Sequence, residues 1–293
     1  MVKRKLIKFG KASYMTILPK KWIDSQKLKE GQTLNIEFKD NLLSISPSEI
    51  RIPEKIKKVE FSKDEYPKLL RDKIITAYLN GFTTIDISFE EAPTKKQLGM
   101  VNEALRRCTG LSISSQTKRS LIIKDLLDES KISDINQQLK TAKMTLRNCF
   151  FSLEEHLLKK SSFESAQSVE SATNSLYLAI RSSAIVKEEK YSYFLIFNNM
   201  LTILQTMYNI ADLKPDKLLL EKINEIKEVY DKTFFVILNK DAKKLKELNR
   251  QRKNLKIEYK KLIGNKDSNK ALCGAYCRRI LYLLGIISEL SLD

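Results

Sequence analysis

From Ile132 to the end of the chain, apolar side chains return every three or four residues with little to interrupt them. A helix of about 3.6 residues per turn lines such positions up on one face, so the pattern dictates helices that bury stripes against one another. Ile132, Ile135, Leu139, Ala142, Leu146, Cys149, Leu153 and Leu157 mark the first stripe. After Pro215, a second runs through Leu219, Ile223, Ile226, Tyr230, Thr233 and Ile237. Leu245, Leu248, Leu255, Tyr259 and Leu262 make a third, and Leu272, Tyr276, Ile280, Leu283, Ile287 and Leu290 the last. With the less regular stretches Phe163–Lys187 and Tyr191–Asp212, six helices joined by short polar turns are predicted over 131–293, a bundle read as two three-helix halves.

Tyr191–Ala211 contains no charged residue and is long enough to span a bilayer. It also carries Asn198, Asn199, Gln205 and Asn209, whose side chains are costly in lipid, so it reads as a buried bundle helix and the chain as no integral membrane protein. Met1–Lys11 is basic but leads into alternation rather than an apolar run, unlike a secretory leader. Cys108, Cys149, Cys273 and Cys277 are too sparse for a disulfide scaffold and form no Cys-x-x-Cys pair, which fits the reducing cytoplasm. Cys273 and Cys277 lie one helical turn apart; without histidines nearby they make a poor zinc site and read as small buried apolar residues.

The rest of the chain has other periods. In 1–48, Lys3–Phe9 and Ser13–Leu18 alternate as short strands around Gly10 and Lys11, and Pro19 opens a short helix through Lys20–Ser25. Gly31 marks a turn, and Thr33–Phe38 and Leu42–Ser46 form a second hairpin around Lys39, Asp40 and Asn41. Four short strands and one helical turn bury little surface alone, and units this small commonly dimerise. Over 60–128, helix and strand alternate: a helix from Tyr66 to Leu79 stops at Asn80-Gly81, and Thr83–Ser88 is a strand. Thr94 and Gln97 form a capping box for a helix ending before Gly110, and Leu111–Gln116 and Leu121–Lys124 are strands. The expected class is α+β and mostly α: an N-terminal hairpin domain, a small α/β unit and a six-helix bundle.

The chain carries 53 Lys and Arg against 36 Asp and Glu, a formal charge of +17, and its pI is near 9.5. Such an excess favours a polyanionic partner, nucleic acid first and an anionic membrane face second, with a solvated basic surface as the plain alternative. Nine basic residues against two acids give Met1–Glu30 a net charge of +7. Paired strands can read DNA in the major groove, with lysine and arginine on phosphates.

The stretch "KFGKASYMTILPKKWIDSQKLKEGQTLNIEF", residues 8–38, resembles the AbrB, SpoVT and MazE-like swapped-hairpin family. Its most informative elements are "ILPKKW" and, at the right distance, "LKEGQTL". The resemblance implies a homodimer that exchanges hairpins and holds DNA on its basic side. Carried onto this chain, it makes Arg4, Lys5, Lys8, Lys11, Ser13, Lys20 and Lys21 the DNA-binding residues; for Ser13, and for Tyr14 beside it, the competing reading is that they only shape the turn. For Lys5, Lys8 and Lys11 the competing reading is a strand edge defended by charge. Trp22 reads as a helix residue facing the hairpin core.

"LNGFTTIDISF", "RRCTGLSISSQTKRSLIIKDLLDES" and the helical tail extend the resemblance to archaeal phosphate uptake regulators, which fuse an AbrB-type domain to a PhoU-like region. That likeness implies a DNA-binding or signalling adaptor linked to phosphate transport, without catalysis. PhoU-like proteins commonly bind metal clusters through acidic motifs. Here Leu201 and Gln205 stand where acidic ligands would, and Tyr282, after Arg279 and Ile280, takes the other acidic position. Carboxylates are the hard ligands such a site needs, so no metal or cofactor is expected. Asn209, Asp212 and Glu289 read as surface or capping residues.

Catalytic signatures are missing from the sequence. The sole histidine, His156, has no nucleophile signature around it, and there is neither a Walker-type loop nor a Gly-rich dinucleotide turn. A second basic run, Lys243, Lys244, Lys246, Arg250, Arg252, Lys253, Lys256, Lys260 and Lys261, reads as a solvated helix face, with DNA wrapping or docking on an acidic regulator as alternatives. The expected function is a cytoplasmic, dimeric transcriptional regulator, not an enzyme, whose bundle senses or binds a partner such as a phosphate transporter or signalling protein. The alternatives are a PhoU-like adaptor that does not bind DNA, and an antitoxin-like protein, against which the long helical tail argues.

Overall fold

The computed structural model describes residues 4–10, 13–39, 42–47, 55–127, 135–163, 166–185 and 191–291. The chain is α+β and mostly helical, with small sheets, and divides into two compact units, Met1–Pro53 and Glu54–Asp293.

In the first unit, β1 (Ile7–Phe9) and β2 (Ser13–Met15) pair antiparallel around a turn at Gly10, whose φ of +71° suits a residue without Cβ. The strands expected over Lys3–Phe9 and Ser13–Leu18 thus contract to three residues each. Beyond Met15 the chain runs into Pro19, which has no N–H to give a ladder. The Pro19 carbonyl instead accepts from the N–H groups of Trp22 and Ile23, at 2.9 and 3.2 Å, and opens α1 (Lys20–Ser25). A left-handed Gly31 leads to β3 (Leu34–Lys39), which pairs antiparallel with β4 (Leu42–Pro47); Asp40 and Asn41 lie outside the described residues.

The second unit begins with β5 (Ile56–Phe61), α2 (Pro67–Leu79), β6 (Thr84–Phe89), α3 (Lys95–Arg107), β7 (Leu111–Gln116) and β8 (Ser120–Asp125). The sheet order is β5-β6-β8-β7, with β5 parallel to β6 and the other neighbours antiparallel. The parallel pair requires a crossover, which α2 supplies. Val59, Phe61, Ile85, Ile87, Phe89, Leu121 and Ile123 line one buried sheet face under α2 and α3. The sequence pattern places no strand over Ile56–Phe61, because Lys57, Lys58 and Glu60 mask an alternation in which Val59 and Phe61 alone reach the core. The predicted capping box is present: Thr94 Oγ1 accepts from the Gln97 N–H at 3.2 Å, and Gln97 Oε1 accepts from the Thr94 N–H at 2.7 Å.

Six helices follow: α4 (Ile135–Leu157), α5 (Gln167–Ile185), α6 (Tyr191–Ala211), α7 (Lys217–Asn239), α8 (Ala242–Ile263) and α9 (Ser268–Leu290). α4 packs on α5 and α6, α9 packs on α7 and α8, and the α4–α7 and α6–α9 contacts join these two sets around one continuous core. The α4 stripe is buried from Ile135 to Leu157, while Ile132 lies outside the described residues. The predicted α9 stripe is too narrow and partly misplaced. Leu272 is exposed, whereas Leu281 and Leu284, outside the stripe, are buried along with Cys273 and Cys277, the two cysteines expected to be buried; α9 packs on α6, α7 and α8 over a wider arc than one stripe covers. α6 contributes Phe197, Met200, Ile203, Leu204 and Met207 to the core. The side-chain amides of Asn198 and Asn199 donate back to the carbonyls of Phe194 and Leu195, at 2.7 and 2.8 Å, so their polar groups are satisfied within the helix. Among the described residues one helix, α9, is long and apolar enough to cross a membrane, and 56% of that stretch is buried inside the bundle. All four cysteines are free and buried.

Three polar knots lie within this packing. Arg181 of α5 donates to the carbonyls of Tyr78 and Phe82, both at 3.2 Å, and to the Asp125 carboxylate, with its guanidinium 4.9 Å from the Tyr78 ring centre. On α7, Lys222 donates to Glu225 and Glu258 at 2.7 and 2.6 Å, and Tyr259 donates to the other Glu225 oxygen at 2.8 Å. Burial acts to lower the Lys222 pKa, but its carboxylate partners outweigh burial and hold it raised. Arg252 of α8 donates to the Leu284 carbonyl at 2.7 Å and to Ser288 Oγ at 2.9 Å, joining α8 to α9.

Candidate nucleic-acid interface

The ribbon register sorts the predicted residues. Ile7 lies opposite Met15, Lys8 opposite Tyr14 and Phe9 opposite Ser13. Successive strand side chains alternate faces, so Lys8 and Tyr14 share one face while Ile7, Phe9, Ser13 and Met15 share the other. Ser13 therefore sits with the apolar set, and Tyr14 is the residue brought beside Lys8. Arg4 and Lys5 precede β1 and are exposed, so strand alternation assigns them no face. Lys20 and Lys21 form the first turn of α1 and are also exposed. Lys11 lies outside the described residues.

Among the first-unit residues whose side chains are described, none is buried. Phe9 is 65% exposed, Ile17 62%, Ile36 59% and Leu43 58%, and Leu6, Ile7, Tyr14 and Met15 are also exposed. Trp22, expected to face the hairpin core, is half-buried. The unit thus presents cations next to a set of apolar side chains without an interior of their own. Sequence reading missed this set, although the alternation of Ile7 and Phe9 with Lys8 was its signal.

Among the described residues, no group of three or more His, Cys, Asp or Glu side chains stands close enough to hold a metal. Leu201 and Gln205 border a cavity of about 380 Å³ with Arg107, Thr173, Tyr177 and Tyr208. Tyr282 is exposed, and Lys256 Nζ lies 5.7 Å from its ring centre. His156 is half-buried and structural: its Nδ1 accepts from the Phe163 N–H at 3.3 Å, and its Nε2 lies 3.0 Å from the Ala211 carbonyl, tying the end of α4 to the end of α6.

Comparison of the chain with protein-family models, curated proteins and solved structures finds no match. The chemistry of the site rests on its own residues.

Proposed function

We propose that this chain is a dimeric, DNA-binding transcriptional regulator of the cytoplasm that holds DNA through its basic ribbon and the first turn of α1. The observation that carries the reading is the two-faced ribbon, with Lys8 and Tyr14 on one side and Ile7, Phe9 and Met15 on the other, in a unit without a buried described side chain. Apolar area removed from water is worth about 25 cal/mol per Å², so a second copy covering the apolar side supplies what the single unit lacks. The cations then lie outward, doubled by a two-fold axis suited to a pseudopalindromic site. The likeness to swapped-hairpin proteins supports the same arrangement. The likeness of the remainder to a PhoU-like region supports a role in phosphate uptake, with the bundle sensing or binding a transporter or signalling partner.

The test is fluorescence anisotropy of the full chain on promoter fragments and on scrambled DNA, across a salt series, with a Lys8→Ala, Lys21→Ala variant beside the native protein. A preference of about a hundredfold for one fragment, lost in the variant, supports the reading. Equal binding of every DNA, or binding at low salt alone, overturns it and leaves the adaptor reading, in which the bundle acts on a transporter or kinase and the ribbon serves assembly.

A further inference from the structure

The two three-helix sets of the bundle do not close in the same way. α4 lies closely along α5, whereas α8 leans on α9 and touches α7 far less. A groove of about 500 Å³ remains beside the turn that joins α7 to α8. Val236 and Leu248 are buried at its base, and Phe235, 45% exposed, forms part of its wall. Leu238, one turn further along α7, is 40% exposed. Lys232 and Lys244 border the groove, and Lys244 Nζ lies 4.2 Å from the Phe235 ring centre.

The charge around this groove is uneven. On α8, Lys243, Lys244, Lys246, Arg250, Lys253, Lys260 and Lys261 are exposed, and among its acids Glu258 is taken by Lys222, leaving Glu247 facing the groove. On the α7 side, Asp231 is bonded to Arg147 at 2.7 Å and Glu228 to Lys232 at 3.0 Å, and in the turn Asp241 lies 3.9 Å from Lys244, at the outer limit of an ion pair. An apolar slot beside a strongly basic helix has the complement of an amphipathic helix: apolar anchors at i, i+3 or i+4, with acidic residues flanking them. Duplex DNA would use the cations but has nothing to place against Phe235, Val236 and Leu248.

We propose that the groove between α7 and α8 receives an acidic amphipathic helix of a partner protein, its apolar face against Phe235 and Leu248 and its carboxylates toward Lys244 and the outer cations of α8. This rests on the part of the proposed function that gives the bundle a protein partner, and it is independent of the DNA-binding ribbon.

The experiment uses the full chain and three fluorescent probes: a designed acidic helix with leucine and phenylalanine anchors on one face, a peptide of the same composition with the anchors scattered around the helix, and a duplex DNA of equal charge. The designed helix is expected to bind at least about tenfold more tightly than the scattered one, a difference of about 1.4 kcal/mol. Phe235→Gln and Lys244→Glu, both at exposed positions, are each expected to weaken it several-fold with an unchanged melting temperature, and Lys8→Ala to leave it unaltered. Absence of binding, equal binding of the two peptides, or displacement of the designed helix by the duplex at matched concentration overturns the proposal. The duplex result would make α8 a general polyanion face. Failure of the ribbon to select a promoter would leave the peptide result standing, so the two readings fail separately.

Discussion

The guanidinium of Arg181 on α5 bonds the carboxylate of Asp125 at the end of β8, with the two side chains 1% and 4% exposed. Asp125 also accepts from the Leu127 N–H at 3.0 Å, and Gly110, at φ +93°, lies so close that a Cβ there would fall 2.8 Å from its Oδ1. At this point one fully desolvated pair and two backbone carbonyls fasten the α/β layer to the bundle, beside the Arg106–Glu170 ion pair at 3.3 Å.

Removing one partner of such a pair strands the other charge in an apolar seam. Arg181→Met is expected to cost about 3–5 kcal/mol in urea unfolding, and Arg181→Met with Asp125→Asn to recover a large part of it. A loss below about 1 kcal/mol in the single variant would show that the seam is held by packing alone.

Gly274 sits where α9 crosses α8. A Cβ there would lie 2.7 Å from Leu262 Cβ and 2.8 Å from the Tyr259 carbonyl oxygen, both belonging to a packed helix. Gly274→Ala is expected to destabilise by about 1–3 kcal/mol despite the better helix propensity of alanine. Gly99, exposed on α3 with nothing within 4 Å of its would-be Cβ, is the control, and Gly99→Ala is expected to gain about 0.5–1 kcal/mol. Thermal melts of both variants check the pair.

Burial pushes the Cys108 and Cys149 thiols up to about 12 from an ordinary 9. Between those values the folded protein keeps protons that the unfolded chain has released, so stability falls as pH rises from about 9 toward 12, by about 1.4 kcal/mol per unit for each thiol. Denaturation midpoints measured from pH 7 to 11 should be level up to about 9 and then decline. Both thiols should resist alkylation at pH 8 until the chain is unfolded.

Phe9 and Ile36 lie on the exposed apolar set of the first unit. In the proposed dimer, Ile36→Asp is expected to lower self-association at least about tenfold in sedimentation, while leaving the thermal transition of the bundle in place. Undiminished association would mean that the chain pairs elsewhere.

The helical part of this architecture was legible because a 3.6-residue stripe is a one-dimensional record of burial, as from Ile135 to Leu157. The stripe was too narrow at α9, where Gly274, Leu281, Leu284 and Ser288 are buried beside it and burial spans more than one face. β5 stayed hidden because only Val59 and Phe61 pay for their place among charged residues. Arg181 had a visible signal, a lone cation in the apolar run "LAIRSSAI". Its partner Asp125, however, lies 56 residues away and could be found only in space. On the ribbon, charge was easy to read and register was not. One residue of register separates Ser13, on the apolar face, from Tyr14 beside Lys8.

Helix α8 carries a ladder of like charges, Lys243, Lys246, Arg250, Lys253, Lys256 and Lys260, at spacings that bring neighbours onto one side of the helix. Their mutual repulsion opposes the helix, and the grip of α9 beneath it holds it in shape. Dissolved salt quiets that repulsion within roughly 10 Å at 0.1 M. The same ions compete with a protein for DNA phosphates. With the DNA-binding role proposed for the ribbon, ionic strength pulls the two ends of the chain in opposite directions, firming the bundle as it loosens the hold of the ribbon on a polyanion.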